Sequence, residues 1–389
     1  MQFKAALSTL TDTRAAISQL KAALGDLEPD LVLLFVSPHH IENADALLAD
    51  VRDKINTRNL IGCTAAGIIG GNREIEDAPA ISIWAAKLPG VRILPFIIDQ
   101  QDVTTLEGND AWRDHLIVSA DSKPGFIILP DPFSIDVEHC LSEMDDAYPE
   151  SKIVGGLASA GRAPGENRLF LNDQVLRQGL VGVSLSGPIQ IDTVVSQGCR
   201  PIGEPFVITK AEQNIIHELR GKPALEVVRS VFASASPDDQ ALMQTGLHVG
   251  RVVDERIEKF GQGDFLIRNL MGVVEQSAIA INALIRPGQT IQFQVRDSKS
   301  ADEEMRGLLT EEIAAMPSPP AGGLLFTCNG RGARMFGKPD HDIGVVNSIA
   351  GDCQVAGFFA AGEIGPVGNR TFIHGFTSSL ILFRRPLAG

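Results

Sequence analysis

The segment Leu325-Phe-Thr-Cys-Asn-Gly-Arg-Gly332 decides the fold of this 389-residue chain, because in it a buried strand ends in a glycine-rich turn. The run Leu324–Thr327 is apolar and short, as is typical of a strand covered on both faces. Gly330 and Gly332 allow a tight turn after it. A helical stretch then leads to a second apolar strand, Val355-Ala-Gly-Phe-Phe-Ala-Ala-Gly362. Strands that alternate with helices in this way indicate a sheet covered by helices.

The same order of elements recurs along the chain. Leu31–Val36 and Phe126–Leu129 are further buried strand runs, and a helical stretch follows each. Glycine- and alanine-rich blocks come next, at Gly62–Gly67 and Gly155–Gly161. These blocks predict either close packing of a strand against a helix or backbone donors that line a cleft. The chain is therefore predicted to be an α+β protein of duplicated strand–helix–strand–strand units, with mixed sheets flanked by helices.

Two of the predicted repeat units are less clear in the sequence than the others. A more diverged copy of the unit is expected in His248–Val295, and its helix would be Ala301–Met316. A single strand, Thr371–Phe383, is expected to close the copy at the C-terminal end. About four units are therefore predicted.

The domain boundary is expected where glycine and proline interrupt the pattern, between Gly198 and Gly221. A helix around Lys210–Glu218 could connect the two halves. We predict an N-terminal domain over residues 28–220 and a C-terminal domain over residues 221–386.

Charge and hydropathy exclude several classes of protein. The formal net charge of -14 argues against sequence-independent binding to nucleic acid or to an anionic membrane. The sequence has no run of about 18 apolar residues, so no transmembrane helix is predicted. The first ten residues are expected to form an edge strand rather than a signal peptide. Five cysteines without a Cys-x-x-Cys pair favour reduced thiols and a cytoplasmic location.

The familiar catalytic motifs are absent from the sequence. Gly221-Lys222 and Gly337-Lys338 are each followed by proline, which excludes a P-loop. The sequence also lacks a complete dinucleotide-binding fingerprint, a zincin helix and a nucleophile elbow. The protein is therefore predicted not to be an enzyme. An enzyme of unknown reaction, with Cys63 or Cys328 as its nucleophile, stays open because catalytic groups can assemble from distant segments.

Several polar side chains near the C-terminal end are next to glycines that bring backbone close. Arg331 is expected at the rim of a turn, where the parallel N–H donors of its planar guanidinium would suit a carboxylate. Glu363 follows an apolar strand, where a carboxylate is costly unless it is paired. It could bind the amine of a ligand, or it could pair with Arg331 or Arg334. Asn329 is expected to orient the ligand.

The strand predicted at Thr371–Phe383 adds two more candidates. His374 would share a face with Phe372 and Phe376, so it could be a ligand-binding residue or the axial ligand of a haem. A buried, hydrogen-bonded histidine is the alternative. Thr377 would help to orient a small ligand. His341 is expected to be solvated on a loop.

The chain resembles the FIST family, which pairs a FIST N-terminal domain with a FIST C-terminal domain. The resemblance extends from about Leu31 to Phe383 and keeps the order of the family. The segments that carry it are Ile61–Gly67, Val154–Gly161, Pro201-Ile-Gly203, Leu325–Gly332, Gly357–Gly365 and Thr371–Ser379.

This resemblance implies a sensory function. FIST proteins are cytoplasmic input modules proposed to recognise small molecules such as amino acids, and some act with histidine kinases or cyclic-dinucleotide enzymes. One bacterial branch binds haem and senses nitric oxide. We therefore expect a small-ligand sensory protein that recognises an amino acid or a similar small carboxylate and signals through a separate partner. The alternative is a haem-binding nitric oxide sensor that regulates a partner histidine kinase, with His374 as the axial ligand of the haem.

Overall fold

The structure is a computed structural model that describes residues 1–257, 259–261 and 263–386. The chain divides into two compact units. The first unit combines the N-terminal half with most of the C-terminal part, and its segments are Met1–Val195, Arg306–Ile373 and the chain from Thr377 onward. The second unit consists of Ser196–Met305 with His374–Phe376. The predicted boundary at residue 220 stays a prediction about the two sequence domains.

The N-terminal part of the first unit contains two successive sets of strands and helices. The first set is β1 (Gln2–Ser8), α1 (Thr13–Leu24), β2 (Leu31–Val36), α2 (Ala44–Lys54), β3 (Asn59–Thr64), β4 (Gly67–Gly70), β5 (Arg73–Glu76) and β6 (Ile81–Lys87). The second set is β7 (Arg92–Ile98), α3 (Gln100–Thr105), α4 (Gly108–Leu116), β8 (Gly125–Pro130), α5 (Val137–Ala147), β9 (Lys152–Gly156), β10 (Leu169–Leu171), β11 (Gln174–Leu176) and β12 (Leu180–Ser186).

The central part of the chain is dominated by strands. Its elements are β13 (Gln190–Gln197), β14 (Cys199–Glu212), β15 (Ile215–Leu219), β16 (Lys222–Pro223), α6 (Ala224–Ser234), α7 (Pro237–Thr245), β17 (Leu247–Val252), β18 (Phe265–Val274), β19 (Ala278–Ile281), β20 (Thr290–Arg296) and α8 (Ser298–Ala315). The last set is β21 (Gly322–Cys328), α9 (Gly332–Phe336), α10 (His341–Ala350), β22 (Gln354–Ala360), β23 (Glu363–Val367), β24 (Arg370–His374) and β25 (Thr377–Arg384).

One strand arrangement is used three times in the first unit. A strand, a helix and a second strand parallel to the first form the pairs β2–β3, β8–β9 and β21–β22. A later strand then runs antiparallel beside the first, as β6, β12 and β25. The prediction of repeated strand–helix–strand–strand units in mixed sheets flanked by helices is confirmed.

Each repeat also lends a hairpin strand to the sheet of another repeat. β4 follows β3 but pairs with β22, and β10 follows β9 but pairs with β3. β23 follows β22 but pairs with β9. The three sheets are therefore linked in a cycle that joins the two ends of the chain. Such non-local pairing makes each sheet depend on distant sequence.

The first unit has a core to which all three sheets contribute. Phe35 from the first sheet contacts Phe326 and Phe358 from the third, with ring centroids 6.3 and 5.1 Å apart. Val154 of the second sheet belongs to the same buried cluster. Separate clusters lie between the outer faces of the first two sheets and their helices. The apolar strands thus have both faces covered, which explains their uninterrupted hydrophobic runs.

The second unit contains an antiparallel sheet with the order β14-β20-β17-β18-β19-β15-β16. One face of this sheet packs against α6 and α7 through a cluster that includes Val231, Met243, Val249 and Phe293. The structure therefore corrects the prediction of a diverged repeat in His248–Val295. That segment contains three antiparallel pairs, and no crossover helix is found among its described residues.

Two further local predictions were wrong. The segment Lys210–Glu218 is not a helix, because β14 and β15 form an antiparallel hairpin there. Ile208 and Ile216, which are buried, satisfy strand alternation. The single strand predicted over Thr371–Phe383 is two strands, β24 and β25, which belong to different sheets. The chain changes direction at Phe376, whose φ is 62°.

Candidate functional site

A buried ion pair lies beyond the carboxyl ends of β21 and β22. Arg331 immediately precedes α9, and Asp342 lies in the first turn of α10. The guanidinium donates through Nε to Asp342 Oδ2 at 2.7 Å and through Nη2 to Oδ1 at 2.9 Å. Both side chains are at most 1% exposed. This bidentate geometry is the strong form of a charge-assisted hydrogen bond, and it compensates part of the cost of burying two charges.

Two more donors converge on the same carboxylate. Thr327 Oγ1 donates to Asp342 Oδ2 at 2.5 Å, and His341 Nδ1 lies 2.9 Å from Oδ1. Burial acts to raise the pKa of Asp342, but the charge of Arg331 and these hydrogen bonds outweigh it and hold the pKa well below the usual value. Asp342 is therefore ionised at neutral pH, and its negative charge is balanced by Arg331 within the protein.

An aromatic ring connects the arginine with the histidine. The ring of Phe336 stacks on His341 with centroids 3.4 Å apart and planes 5° from parallel. The guanidinium carbon of Arg331 lies 5.2 Å from the centroid of the same phenyl ring. This contact adds a cation–π attraction to the ion pair. The positions of Arg331 and His341 are thus fixed by packing as well as by hydrogen bonds.

The strand β5 brings two carboxylates to the starts of the helices α9 and α10. Glu74 Oε1 accepts from the backbone N–H of Ile343 at 2.7 Å, and Glu76 Oε1 accepts from that of Ala333 at 2.8 Å. Free N–H groups and the helix dipole favour negative charge at these positions. A Cβ on Gly332 would lie 2.6 Å from the Glu76 carboxyl group, so only glycine leaves room for this contact.

Glu74 differs from Glu76 in its degree of burial. It is 4% exposed, and burial together with the negative charge of Asp342 raises its pKa to about 8. The hydrogen bond from Ile343 acts in the opposite direction but does not compensate. At neutral pH the Glu74 side chain is therefore mostly protonated. This removes one negative charge from the neighbourhood of Asp342.

Glu363 is a second buried carboxyl group with a raised pKa. It begins β23 and is 0% exposed. Its Oε2 accepts from the backbone N–H of Thr377 at 3.1 Å, whereas Oε1 has no hydrogen-bond partner among the described residues. Burial raises its pKa well above the usual value, and the Thr377 N–H, the charge of Arg331 and a hydrogen bond with the Cys328 side chain offset only part of that effect.

The structure brings some of the predicted site residues together. Arg331, Glu363 and Thr377 belong to one buried cluster. Asn329 is exposed on the turn after β21, and its backbone N–H donates to Ala360 O at 3.0 Å. The prediction that Arg331 lies at the rim of a turn was wrong, because its guanidinium is buried against Asp342. The predicted ligand-binding roles of these residues, and that of His374, stay predictions.

The face proposed to hold a haem is not formed as predicted. His374 is buried, but it ends β24, and Gly375-Phe376 turns the chain before β25 begins. The alternation that would place Phe376 on the same face as His374 is therefore broken. His374 belongs to the second compact unit with Gly375 and Phe376. The residues present do not form the expected apolar wall for a haem.

Sequence reasoning missed three members of the buried cluster. His341 was expected to be solvated, but it is buried at the start of α10, with a side chain that is 3% exposed. Asp342 and Glu74 were not selected at all. Eleven positions separate Asp342 from Arg331, and Glu74 is in a different repeat. A signal was present in Pro339-Asp-His-Asp342, where two acids flank a histidine just before an apolar helical stretch.

The cysteines do not indicate a nucleophile. Cys63, Cys140 and Cys353 are buried, and burial raises the pKa of each thiol, to about 12 for Cys140 and Cys353. A thiol with a raised pKa is a poor nucleophile at neutral pH. Cys328 is half-buried at the end of β21. The prediction that the protein is not an enzyme stays a prediction.

Two further properties concern the described residues as a whole. Over residues 1–257, 259–261 and 263–386, no group of three or more His, Cys, Asp or Glu side chains has the arrangement of a metal site. Within the same ranges, no helix combines the length and the apolar character needed to cross a bilayer.

Comparison with protein families gives matches along most of the chain. The FIST N domain matches residues 30–222, and the FIST C domain matches residues 224–366. An uncharacterized protein of Mycobacterium tuberculosis is 41% identical over 388 residues, covering 98% of this chain and 100% of that protein. An uncharacterized protein of Mycobacterium bovis is 39% identical over 388 residues, with 98% and 99% coverage.

Among solved structures, a cyanuric acid hydrolase from A. caulinodans aligns with a TM-score of 0.37 and 8% sequence identity. The alignment covers 100% of this chain and 99% of the hydrolase. A likeness this weak does not indicate a shared activity.

Proposed function

Because this chain belongs to the FIST family, whose domains are small-ligand sensory domains in signalling, we propose that it senses a small molecule that carries an amino group. An amino acid or a similar small carboxylate has the required chemistry. The observation that carries this proposal is the carboxyl group of Glu363, which is fully buried and has one oxygen without a partner among the described residues.

A lone buried oxygen lowers the stability of the free protein. Leaving a buried polar atom without a hydrogen bond costs about 1–3 kcal/mol. A ligand ammonium group would donate to Glu363 Oε1 and would favour the ionised carboxylate. Glu363 would therefore release its proton when the ligand binds, and the energy lost in the free state would be recovered in the complex.

Arg331 contributes charge rather than a direct contact. Its donor fork is held by Asp342 at 2.7 and 2.9 Å, so a ligand carboxylate would have to displace Asp342 to reach Nε and Nη2. The positive field of Arg331 still acts on the neighbourhood of Glu363. The exposed side-chain amide of Asn329 and the hydroxyl of Thr377 would orient the carboxylate of an amino acid.

Burial of the site makes binding depend on a conformational change. Glu363 and Thr377 are both 0% exposed, so a ligand reaches them only after the surrounding segments open. Binding that selects one of two conformations can be transmitted to another protein. We propose a histidine kinase or a cyclic-dinucleotide enzyme as that partner, in the cytoplasm.

Isothermal titration calorimetry with a panel of amino acids tests this proposal. For a ligand that binds, we expect release of close to one proton per site at pH 7, because Glu363 changes from protonated to ionised. The measured enthalpy should then differ between phosphate and Tris buffers in proportion to their ionisation enthalpies. Glu363→Gln keeps the shape of the side chain but cannot ionise, so it should abolish the dependence on buffer and weaken binding at least tenfold.

Glu74→Gln is the matched control, because Glu74 is also buried and protonated but has no assigned contact with the ligand. It should leave the proton release intact. If no amino acid binds the folded protein, or if Glu363→Gln binds with unchanged affinity, the proposal is wrong.

A further inference from the structure

The second compact unit contains a polar group of side chains that the buried cluster of the first unit does not explain. His248 on β17 lies directly opposite Gln294 on β20 in the antiparallel register. The two residues are 7% and 1% exposed. The Nε2 of Gln294 has no hydrogen-bond partner among the described residues. Neither ring nitrogen of His248 makes a well-formed hydrogen bond there, although the side chain of Asn269, opposite it on β18, acts as a hydrogen-bonding neighbour and raises its pKa. A free amide donor on Gln294 and an incompletely satisfied imidazole on His248 therefore lie opposite each other on neighbouring strands of the sheet.

Two other buried glutamines of the second unit find hydrogen-bond partners within the unit. Gln292, two residues before Gln294 on the same face, donates from Nε2 to Gly203 O at 2.8 Å. Gln197 donates from Nε2 to Phe265 O at 2.6 Å. Buried amides in native proteins are normally satisfied in this way. The free donor of Gln294, beside the incompletely satisfied ring of His248, thus indicates a partner that is not part of the unit itself.

The surroundings favour a negatively charged partner. The guanidinium of Arg296 lies 4.6 Å from the centroid of Phe376, and the same phenyl ring lies 4.3 Å from the ring of His248. The residues that share this face by register are neutral or cationic, and they are Cys199, Pro201, Gln292, Gln294, Arg296, His248, Gly250, Val252, Phe265, Ile267 and Asn269. An anion would find donors and a positive field here, and these positions on β14, β17, β18 and β20 carry no repelling carboxylate.

We propose that His248 and Gln294 form a binding site for a small oxyanion, such as the carboxylate of a metabolite, with Arg296 supplying positive charge. The Nε2 of Gln294 and one N–H of His248 donate to the anion. Gly250 makes the site possible, because a Cβ there would lie 2.7 Å from Gln294 Nε2 and would displace the amide. This site does not depend on Glu363 or on the function proposed for it.

The ionisation of His248 provides a direct measurement. In the free protein, burial and the charge of Arg296 lower the pKa of His248 to about 4, and the contact with the Asn269 side chain offsets only part of that effect. A bound anion would favour the imidazolium and raise this pKa toward the usual value. The experiment is NMR of the full chain with 13C-labelled histidine, titrated between pH 4 and 7 with sodium acetate or with the neutral isostere acetamide. The exposed His39 and His139 serve as internal references.

Acetate should raise the pKa of His248, and acetamide should not. Gln294→Leu and Gly250→Ala should each reduce the acetate response by at least tenfold in concentration, whereas Glu363→Gln should leave it unchanged. If acetate does not alter the titration of His248, or if both substitutions leave the response intact, the assignment is overturned.

A stability measurement distinguishes the anion site from an amide that an ordered water satisfies. Without a ligand, Gln294→Leu should raise the melting temperature, because it removes a buried donor that has no partner. A marked fall in melting temperature would indicate that water already completes the hydrogen bonds, and it would overturn the proposal.

Discussion

At the scale of single residues, three neighbouring carboxyl groups in one buried cluster have different states of protonation. Asp342 is ionised because Arg331, Thr327 and His341 all interact with it. Burial that is not compensated raises the pKa of Glu74 to about 8 and that of Glu363 well above its usual value. One guanidinium therefore balances one carboxylate, and the other two groups avoid the cost of an unpaired buried charge.

This difference predicts how stability depends on pH. The pKa of Glu74 is about 8 in the folded protein, and the ordinary value for a glutamate is 4.5. Between these values the unfolded chain has lost a proton that the folded protein keeps, so the free energy of unfolding should fall as the pH rises from 4.5 to 8. The slope from this group is up to about 1.4 kcal/mol per pH unit. Urea unfolding at pH 5.5 and 8 measures it.

Glu74→Gln should reduce this slope and should be more stable than the original protein at pH 8, because its amide oxygen can still accept from Ile343. The contribution of Asp342 to the pH dependence of stability has the opposite sign. Its lowered pKa contributes stability that is lost only when the pH falls below its ordinary value of 3.8 and through its folded value. Equal slopes in the original protein and in Glu74→Gln would contradict the prediction.

At the scale of elements, the parallel strand pairs of the three repeats share one requirement. Gly62, Gly155 and Gly357 occupy equivalent positions on β3, β9 and β22, opposite Leu34, Ile128 and Leu325. A Cβ at these glycines would lie 2.1, 1.8 and 1.8 Å from the carbonyl oxygen of the facing residue. The glycines of these blocks therefore allow two strand backbones to lie close together, and the packing of a strand against a helix is not what requires them.

Gly357→Ala should accordingly destabilise the first unit by at least about 2–3 kcal/mol, because a backbone carbonyl cannot move aside as a flexible side chain can. Gly344→Ala is the matched control, since Gly344 lies inside α10 with no atom within 4 Å of an added Cβ. That substitution should stabilise the helix by about 0.5–1 kcal/mol. Urea unfolding compares the two, and equal effects would contradict the steric explanation.

The elements also show what the sequence could predict. Buried strands such as Leu31–Val36 were predictable because an uninterrupted apolar run indicates a strand covered on both faces. The hairpin of β14 and β15 was misread because the run Lys210–Glu218 is short and mixed, so periodicity alone does not distinguish a strand from a helix. The turn at Gly375-Phe376 was missed because Phe rarely adopts positive φ.

For the candidate site, sequence order concealed the main contact. Arg331 and Glu363 could be selected because each charged side chain is next to glycines and apolar residues. The partner of Arg331 could not be identified, since Asp342 reaches it only through the turn between α9 and α10. Glu74 comes from another repeat, and its contact with α10 depends on the pairing of β4 with β22. Contacts of this kind depend on topology, which local patterns do not specify.

At the scale of the whole molecule, the first compact unit is completed by segments that are far apart in sequence. Ser159 shows how closely the three repeats are joined. Its Oγ donates to Phe359 O at 2.5 Å and accepts from the backbone N–H of Ala66 at 2.9 Å. One hydroxyl of the second repeat thus connects the first repeat with the third, and it is 9% exposed.

This interdependence predicts the behaviour of a fragment that ends at the predicted domain boundary. Residues 1–220 contain β4 and β9 but lack β22 and β23, with which these strands pair. The fragment also lacks Phe326 and Phe358, so the central cluster would expose Phe35 to solvent. Because exposed apolar surface and open strand edges favour aggregation, we expect residues 1–220 alone to be insoluble or to unfold without a cooperative transition.

Co-expression with residues 221–389 should restore a soluble, cooperatively folding complex, measured by gel filtration and thermal unfolding. A monomeric fragment 1–220 with a sharp transition of its own would show that the N-terminal domain folds independently, and the cyclic exchange of hairpins would then stabilise the unit without being required for its folding.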